Sequence, residues 1–306
     1  MYAFEIERPS TIGDAVTALK NEDAQALGGG QTLIPTLKAR LAMPATLVSL
    51  TGIGEMQGVC KGDDGAVCIG GATTHATVAK EAAGLYPGLA GLAGHIGDPA
   101  VRNRGTIGGS LANNDPSACY PAAALGSGAT MVTNTREIAA DDYFQGMFTT
   151  SLEEGEVITE VRFPVPEKSH YEKFVQPASR FALVGVYVAK YADGVRVAVT
   201  GASEEGVFRW TEAEAALSAN FSAAALEGLS VPADGMIADL HGSSEYRAHL
   251  VNVITGRAVT AGSQSLCFVE QRPCGCGAFV VAMNASFEPE LTDAAIAMNG
   301  GFQDAT

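Results

Sequence analysis

Along residues 1–54, short apolar runs alternate with stretches whose apolar residues recur at the spacing of a helix. The runs predict three strands, over residues 3–6, 25–27 and 46–50. The apolar stripes predict two helices. The first follows a Ser10 N-cap and has Ile12, Val16 and Leu19 on its apolar face. The second has Ile34, Leu37 and Leu41 on its apolar face. The order of these elements predicts a small βαβαβ unit, which we take as the first domain.

A second region, residues 55–166, contains a segment that fits no simple period. Strands are predicted over 56–60, 66–69, 129–132, 137–139 and 157–163, and helices over 74–83 and 85–94. Between residues 93 and 122 the sequence is AGHIGDPAVRNRGTIGGSLANNDPSACYPA, with many glycines and few large side chains. Glycine at this density allows a close approach of the backbone to something else, or positive φ. Prolines and charged residues over 164–169 then predict a linker.

The third region, residues 170–260, begins with β-type runs over 182–191 and 195–200, which predict antiparallel strands joined by an Ala-Asp-Gly turn. Helical patterns follow over 211–218 and 243–259. The last region, residues 261–306, has no clear period, and we treat it as an atypical tail, either a disordered extension or a frame-altered end. Its apolar stretch FVVAM would need a partner to bury it.

Composition narrows the class of protein. An apolar fraction of 47% in 306 residues supports substantial cores. The net charge of −15 argues against nucleic acid and anionic membranes as partners. We also find no apolar run near the roughly 18 residues of a membrane span, no signal peptide and no secreted disulfide framework. These features predict a cytoplasmic protein.

Two glycine-rich segments carry the candidate chemistry. They are Gly28-Gly29-Gly30-Gln31-Thr32, which ends a predicted strand and opens a predicted helix, and Thr106-Ile107-Gly108-Gly109-Ser110. Consecutive backbone N–H groups in such turns converge into a nest that binds an anion, and each segment adds a hydroxyl group. Neither segment is followed by Lys-Ser or Lys-Thr, which argues against a P-loop. Neither forms a complete G-x-G-x-x-G, which argues against a Rossmann NAD site. On the glycine pattern alone, the alternative to an anion-binding site is that both segments are tight turns in an α+β domain.

Three stretches resemble the signatures of a known family. The 93–122 segment resembles the flavin-binding segment of the FAD-containing medium subunits of molybdenum hydroxylases, and GGGQTLIPTLKARLAMP resembles the other signature of that family. A third match is IGGATTHATV, and the three occur in the order and spacing of the family. Aerobic carbon monoxide dehydrogenase belongs to this family, and xanthine dehydrogenase is a more distant member.

The resemblance implies an α+β fold of the PCMH/vanillyl-alcohol oxidase type. Two subdomains, residues 1–54 and 55–166, would hold FAD between them, and a smaller α+β domain with an antiparallel sheet would follow over 170–260. The implied cofactor-binding residues are Gly28, Gly29, Gly30, Gln31 and Thr32 at the pyrophosphate; Thr106, Ile107, Gly108, Gly109 and Ser110 at the phosphates and ribityl chain; Asn114 and Asp115 at the ribityl or ring region; and Lys173 near the ring edge. The first signature has Gly28 and Thr32 where Ala and Ser are common.

The implied function is electron transfer by a flavoprotein subunit. FAD would take electrons from the two [2Fe–2S] clusters of a small iron–sulfur subunit and pass them to an external acceptor. Substrate oxidation would occur in a large molybdopterin-containing subunit, and the complex would be a dimer of heterotrimers. One alternative is a free-standing FAD-dependent oxidase or dehydrogenase with its own substrate pocket. A scaffold that has lost its flavin is another, against which the intact glycines and hydroxyls argue.

Other polar residues near these segments have competing interpretations. Arg102 and Arg104 could pair with carboxylates to brace the loop or contact the cofactor. His75 and His95 are interpreted as structural or ring-adjacent rather than catalytic. The tail cysteines Cys267, Cys274 and Cys276 lack the spacing of a plant-type [2Fe–2S] site, and no metal-ligating residue is predicted.

Overall fold

In the computed structural model, which describes residues 1–264, the N-terminal region is a three-stranded parallel sheet. Its strands are β1 (Glu5–Glu7), β2 (Ala24–Leu27) and β3 (Thr46–Ser49), in the order β1-β3-β2, and they are connected by helices α1 (Ile12–Leu19) and α2 (Leu33–Lys38). The predicted βαβαβ order is therefore confirmed. Because parallel strands all end at the same edge, the segment that follows β2 lies at the carboxyl edge of this sheet.

Two details of this region differ from the prediction. The N-cap of α1 is Thr11, whose hydroxyl accepts a hydrogen bond from the Asp14 N–H at 3.1 Å, rather than Ser10. Helix α2 ends at Lys38, and Leu41, predicted as part of its apolar stripe, is 79% exposed. The stripe fails at Leu41 because Arg40, with φ of +59°, turns the chain out of the helix.

The middle region is built on a five-stranded antiparallel sheet. Its order is β4-β5-β10-β6-β7, and the strands are β4 (Val59–Lys61), β5 (Val67–Gly70), β6 (Thr130–Thr133), β7 (Glu137–Ala139) and β10 (Ile158–Phe163). A short hairpin, β8 (Phe144–Gly146) and β9 (Thr149–Thr150), precedes β10. The strand predicted over 56–60 starts later, because Gly54–Met56 forms a 3₁₀ turn.

Helices cover this sheet, and most of the glycine-rich 93–122 segment is helical. The helices are α3 (His75–Glu81), α4 (Pro87–Gly94), α5 (Pro99–Arg102), α6 (Ile107–Asn113), α7 (Cys119–Ser127) and α8 (Ala140–Tyr143). Asp98 and Thr106 are the N-caps of α5 and α6, and their side chains accept the N–H groups of Val101 and Gly109. The second glycine segment, predicted as a turn, is thus the first turn of a helix.

The C-terminal region is a four-stranded antiparallel sheet with two helices. Its strands, in spatial order, are β11 (Lys168–Lys173), β12 (Gly185–Tyr191), β13 (Gly194–Ser203) and β14 (Gly206–Arg209), and its helices are α9 (Thr211–Ala219) and α10 (Ser244–Gln264). The antiparallel sheet is confirmed. The linker predicted over 164–169 is shorter than expected, because Lys168 and Ser169 already pair with β12.

The two faces of the C-terminal sheet join different cores. Val186, Val188 and Val197 pack with residues of α9 and α10, whereas Tyr187 and Ala198 belong to the core of the middle region, which includes α7. This continuity means that no gap in the core marks the predicted boundary near residue 166. The boundaries at 54, 166 and 260 stay predictions, and the predictions for the tail beyond residue 264, including its three cysteines and the FVVAM stretch, lie outside the described residues.

Candidate functional site

A cavity of about 980 Å³ lies where the two glycine segments meet. Its size is at the upper end of the range for small-molecule sites. Eleven of the thirteen predicted site residues line it: Gly28, Gly29, Gly30, Gln31, Thr32, Thr106, Gly108, Gly109, Ser110, Asp115 and Lys173. The other two, Ile107 and Asn114, are not part of its lining.

The first glycine segment presents unused hydrogen-bond donors. It leaves β2 at Leu27, turns at Gly30 with φ of +71°, and reaches α2 at Leu33. Within residues 1–264, the backbone N–H groups of residues 29–32 donate no hydrogen bond to another protein atom. Four consecutive free N–H groups beside a cavity are suited to bind an anionic group of a ligand.

The second glycine segment differs from the predicted nest. The N–H groups of Ile107 and Gly108 donate to the carbonyl oxygens of Thr73 and Gly71, at 3.1 and 2.9 Å. A Cβ atom on Gly108 would lie 2.6 Å from the Gly71 oxygen, so glycine is needed there for packing. These N–H groups join α6 to the turn after β5, and Ile107 itself is fully buried in the core.

Gly109 is exposed and Ser110 is half-buried, and both line the cavity. A Cβ atom on Gly109 would meet only the Thr106 hydroxyl oxygen, at 2.9 Å. Gly109 is helical rather than in the positive-φ region, so positive φ, one of the two reasons considered for the glycines of this segment, does not apply to it. Its small size matters instead, because a side chain at this position would extend from the cavity wall.

The two segments also need glycine in order to approach each other. A Cβ atom on Gly28 would lie 2.8 Å from the Thr106 hydroxyl and 3.6 Å from the Gly109 Cα. A Cβ atom on Gly29 would overlap the Arg104 carbonyl group. Glycine therefore brings the carboxyl edge of the first sheet against the start of α6, and the cavity opens beside this contact.

Asn114 and Asp115 follow α6 and point to different surroundings. Asn114 is buried, and its backbone has a left-handed conformation with φ of +43°. Its Nδ2 donates to the carbonyl oxygens of Gly146 and Thr149, both at 2.8 Å. Asp115 lines the cavity, and its Oδ1 accepts the Ser117 N–H at 2.9 Å. Burial raises the pKa of the Asp115 carboxyl above its usual range.

Lys173 brings a positive charge to the cavity wall from the end of β11. Its Nζ donates to the His95 carbonyl oxygen at 2.8 Å and lies 3.8 Å from the Cys119 Sγ. The strand of the C-terminal sheet thus reaches the same cavity as the glycine segments. A lysine in this position favours a ligand that carries negative charge.

His75 lies at the cavity wall, and Arg102 has structural contacts. His75 lines the cavity, and burial, helped by the nearby Arg102 guanidinium, lowers its pKa to about 4. Its imidazole is therefore neutral at physiological pH. Arg102 donates to the carbonyl oxygens of Ile96 and Gly97, at 3.0 and 3.1 Å. It braces the loop as one interpretation expected, although through carbonyl groups rather than carboxylates.

Apart from Lys173, sequence reasoning missed the part of the lining that comes from the C-terminal region. Gln176, Ser179 and Phe181 line the cavity from the loop between β11 and β12, and Asp239 and Arg247 line it from before and within α10. The buried Arg247 donates to the Leu183 and Gly201 carbonyl oxygens and to Asp239 Oδ2, each at 2.7 Å. No motif marks these residues, because tertiary packing alone brings them to the cavity.

Two absences hold for the part of the chain that the structure describes. Over residues 1–264, no group of three or more His, Cys, Asp or Glu side chains is arranged to hold a metal ion. Over the same residues, no helix has both the length and the apolar character to cross a membrane.

Comparison with known proteins identifies the family of the chain. Residues 2–166 match the family described as the FAD binding domain in molybdopterin dehydrogenase. The carbon monoxide dehydrogenase medium chain of Afipia carboxidovorans is 34% identical over 281 residues, which cover 84% of this chain and 96% of that protein. The nicotine 6-hydroxylase medium subunit of Paenarthrobacter nicotinovorans is 33% identical over 86% of this chain and 99% of that protein.

Solved structures agree in fold. Quinoline 2-oxidoreductase from Pseudomonas putida 86 contains a chain that superposes with a TM-score of 0.78 at 29% identity, covering 86% of this chain and 98% of that chain. Reconstituted CO dehydrogenase from Oligotropha carboxidovorans gives a TM-score of 0.77 at 32% identity, over 85% and 98% of the two chains. Xanthine dehydrogenase FAD-binding subunits are more distant, at 23% identity.

Proposed function

This chain belongs to the family of FAD-binding domains in molybdopterin dehydrogenases, and we propose that it is the flavoprotein medium subunit of a molybdenum hydroxylase complex. It is therefore an oxidoreductase subunit whose cofactor is FAD. The observation that carries the proposal is the run of four free backbone N–H groups at residues 29–32, beside a cavity of about 980 Å³.

The residues that line the cavity fit FAD. We propose that the N–H groups of residues 29–32 bind the pyrophosphate, because free N–H groups bind anions without needing a lysine. Gly109 leaves room at the cavity wall, and the Ser110 hydroxyl supplies a donor there. Asp115 and Lys173 are proposed to contact the ribityl chain and the ring region. Ile107 and Asn114 would act indirectly, by holding the wall in place.

The electron path depends on partner proteins. The bound FAD would supply the redox chemistry. This chemistry is the uptake of electrons from the [2Fe–2S] clusters of a small subunit and their delivery to an external acceptor. This chain's own residues bind and orient the cofactor, and the neutral His75 and the Lys173 charge set the electrostatics of the cavity wall. We propose an assembly with a large molybdopterin subunit and the small iron–sulfur subunit, as a dimer of heterotrimers.

Substrate choice is proposed to reside in another subunit. The names of similar medium subunits give carbon monoxide, nicotine and glyceraldehyde dehydrogenases or hydroxylases. Because similar medium subunits occur in enzymes that act on such different molecules, we expect the medium subunit not to bind the substrate itself. The FAD cavity is then the shared part of these enzymes.

The proposal is tested by the cofactor content of the purified full-length chain. We expect one FAD per chain, bound without a covalent link, because acid precipitation should release it into the supernatant for quantification by fluorescence. A protein that stays free of flavin after incubation with FAD would refute the proposal. Flavin that remains in the acid pellet would show covalent attachment and would favour the free-standing oxidase.

A further inference from the structure

The turn between β8 and β9 exposes two large apolar side chains that the proposed cofactor site does not use. Phe148 is 56% exposed and Met147 is 40% exposed. Phe148 has φ of +54°, a conformation that bulky side chains rarely adopt, although glycine could adopt it without strain. Because Phe148 is mostly exposed, packing of its ring within the chain does not offset this strain. A strained and exposed aromatic residue suggests a contact made with another molecule.

The buried residue Asn114 contacts both sides of this turn. Asn114 Nδ2 donates to the carbonyl oxygens of Gly146 and Thr149, on the two sides of the turn, and the Asn114 carbonyl oxygen accepts the Phe148 N–H at 3.1 Å. Three hydrogen bonds from one residue therefore fix the exposed pair. Asn114 lies directly between Asn113 and Asp115, both of which line the cavity, so the turn is tied to the cavity wall.

The surface beside the turn is acidic. The first residue of β14 packs against it, because a Cβ atom on Gly206 would lie 3.7 Å from atoms of Gly146 and Met147. The connection from β13 to β14, just before Gly206, exposes Glu204 and Glu205. An apolar tip bordered by two carboxylates is complementary to an apolar socket with a rim of Lys or Arg, the usual arrangement of a protein interface.

We propose that Met147 and Phe148, bordered by Glu204 and Glu205, form the docking turn for the iron–sulfur subunit. The inference rests on the proposed function, which requires a partner that delivers electrons to the cofactor cavity. A partner seated on the docking turn is held close to that cavity, since the turn and the cavity wall share the 113–115 segment. Asn114 is then a positioning residue, which acts through the docking turn.

Binding measurements between the full-length chain and the purified iron–sulfur subunit test the proposal. The Met147→Ser/Phe148→Ser double variant should bind at least about tenfold more weakly, as expected for loss of an aromatic anchor. The Glu204→Lys/Glu205→Lys double variant should associate more slowly and lose much of its salt dependence. Both variants should keep the wild-type FAD content, because neither pair lines the cavity.

A matched control uses another exposed apolar pair. Leu41 and Met43 are 79% and 68% exposed and flank Ala42, which also lines the cavity. The Leu41→Ser/Met43→Ser variant should bind the iron–sulfur subunit as the wild type does. An equal loss in this control would overturn the assignment, because exposed apolar residues in general would then account for it.

The variant Phe148→Gly separates docking from folding. Glycine removes the strain at φ of +54°, so its melting temperature should equal or exceed that of the wild type. Its affinity for the iron–sulfur subunit should nevertheless fall at least about tenfold. Unchanged affinity, or a changed oligomeric state of the chain alone with normal partner binding, would overturn the proposal. A wild-type chain without FAD would instead refute the proposed function.

Discussion

A Cβ atom on Gly29 would overlap the Arg104 carbonyl group, whereas a Cβ atom on Gly109 would meet only the Thr106 hydroxyl oxygen. The two glycines therefore have different physical roles. Gly29 permits the close packing of two backbone segments, and Gly109 leaves space at the cavity wall. A substitution at the first position should affect folding, and one at the second should affect the ligand.

This difference predicts opposite outcomes for two variants. Gly29→Ala should lower the free energy of unfolding by about 2 kcal/mol or more, because backbone atoms must move to relieve the overlap. Gly109→Val should cost only about 1 kcal/mol, because a single side-chain oxygen, the N-cap hydroxyl of Thr106, has to move, and yet it should lose FAD. Urea unfolding checks the stabilities, and it is done on the FAD-free forms so that bound ligand does not contribute to them. FAD quantification checks the cofactor content. Stoichiometric FAD in Gly109→Val would show that the space is not needed for the cofactor.

Single residues show what sequence alone can and cannot predict about the site. The glycines and hydroxyls of both segments are visible as motifs, and most of them line the cavity. The role of Asn114 was not visible, because its partners Gly146 and Thr149 lie more than thirty residues away and carry no motif. The partners of the Ile107 and Gly108 N–H groups, Thr73 and Gly71, follow from tertiary packing in the same way.

At the scale of elements, apolar spacing predicted strands and long helices better than the glycine-rich segment. Helices α5 and α6 have few apolar residues, so their periodicity is weak, and helix-disfavouring glycine and proline conceal them. Their N-caps were a usable signal: Asp98 precedes a proline at N1, and Thr106 begins the second glycine segment.

The loop between β9 and β10 is held by one carboxylate. Glu156 Oε1 accepts hydrogen bonds from Arg136 Nε at 3.0 Å and from the hydroxyls of Thr133 and Thr135, at 2.7 and 2.8 Å. Its Oε2 accepts from Arg136 Nη2 and from the Glu153 N–H. The Arg136 guanidinium, first among these donors, lowers the pKa of Glu156 from 4.5 to about 2. Because Glu156 also lines the cavity, this network fixes part of its wall.

The lowered pKa predicts a pH dependence of stability. A carboxyl group whose pKa is lower in the folded protein stabilises it fully above the unfolded pKa. The stabilisation should therefore be complete above pH 4.5 and be lost progressively toward pH 2. Glu156→Gln should lower the free energy of unfolding by about 1–3 kcal/mol at pH 7 and flatten its fall in that window. Urea titrations at several pH values check this, with the exposed Glu154→Gln as control; an equal acid slope in Glu156→Gln and the wild type would contradict it.

At the scale of the whole molecule, three sheets contribute to one cavity. The family resemblance predicted FAD and the fold, and the order of elements along the chain predicted the three regions. The contribution of the C-terminal region beyond Lys173 was not predicted, because Phe181, Asp239 and Arg247 are brought together only by the packing of α10 on its sheet. The shared core between α7 and β12–β13 was missed for the same reason.

The last prediction concerns the source of electrons. Three titratable groups of the cavity wall have defined states: Lys173 donates to the His95 carbonyl, Asp115 accepts from Ser117, and His75 is neutral. Across residues 1–264 no cluster of side chains is arranged for a metal ion. The function proposed above predicts that electrons reach the cofactor through a docked partner.

Anaerobic flavin bleaching tests this with the chain alone and with the assembled complex. Carbon monoxide, nicotine and glyceraldehyde, the molecules named for similar proteins, should each leave the FAD of the isolated chain oxidised. The substrate of the complex should bleach it rapidly once the iron–sulfur and molybdopterin subunits are present. Dithionite, which reduces flavin without a partner, controls for a chain that is damaged. Rapid bleaching of the isolated chain by a substrate would establish a free-standing FAD enzyme, because the cavity would then have to bind and oxidise that substrate itself.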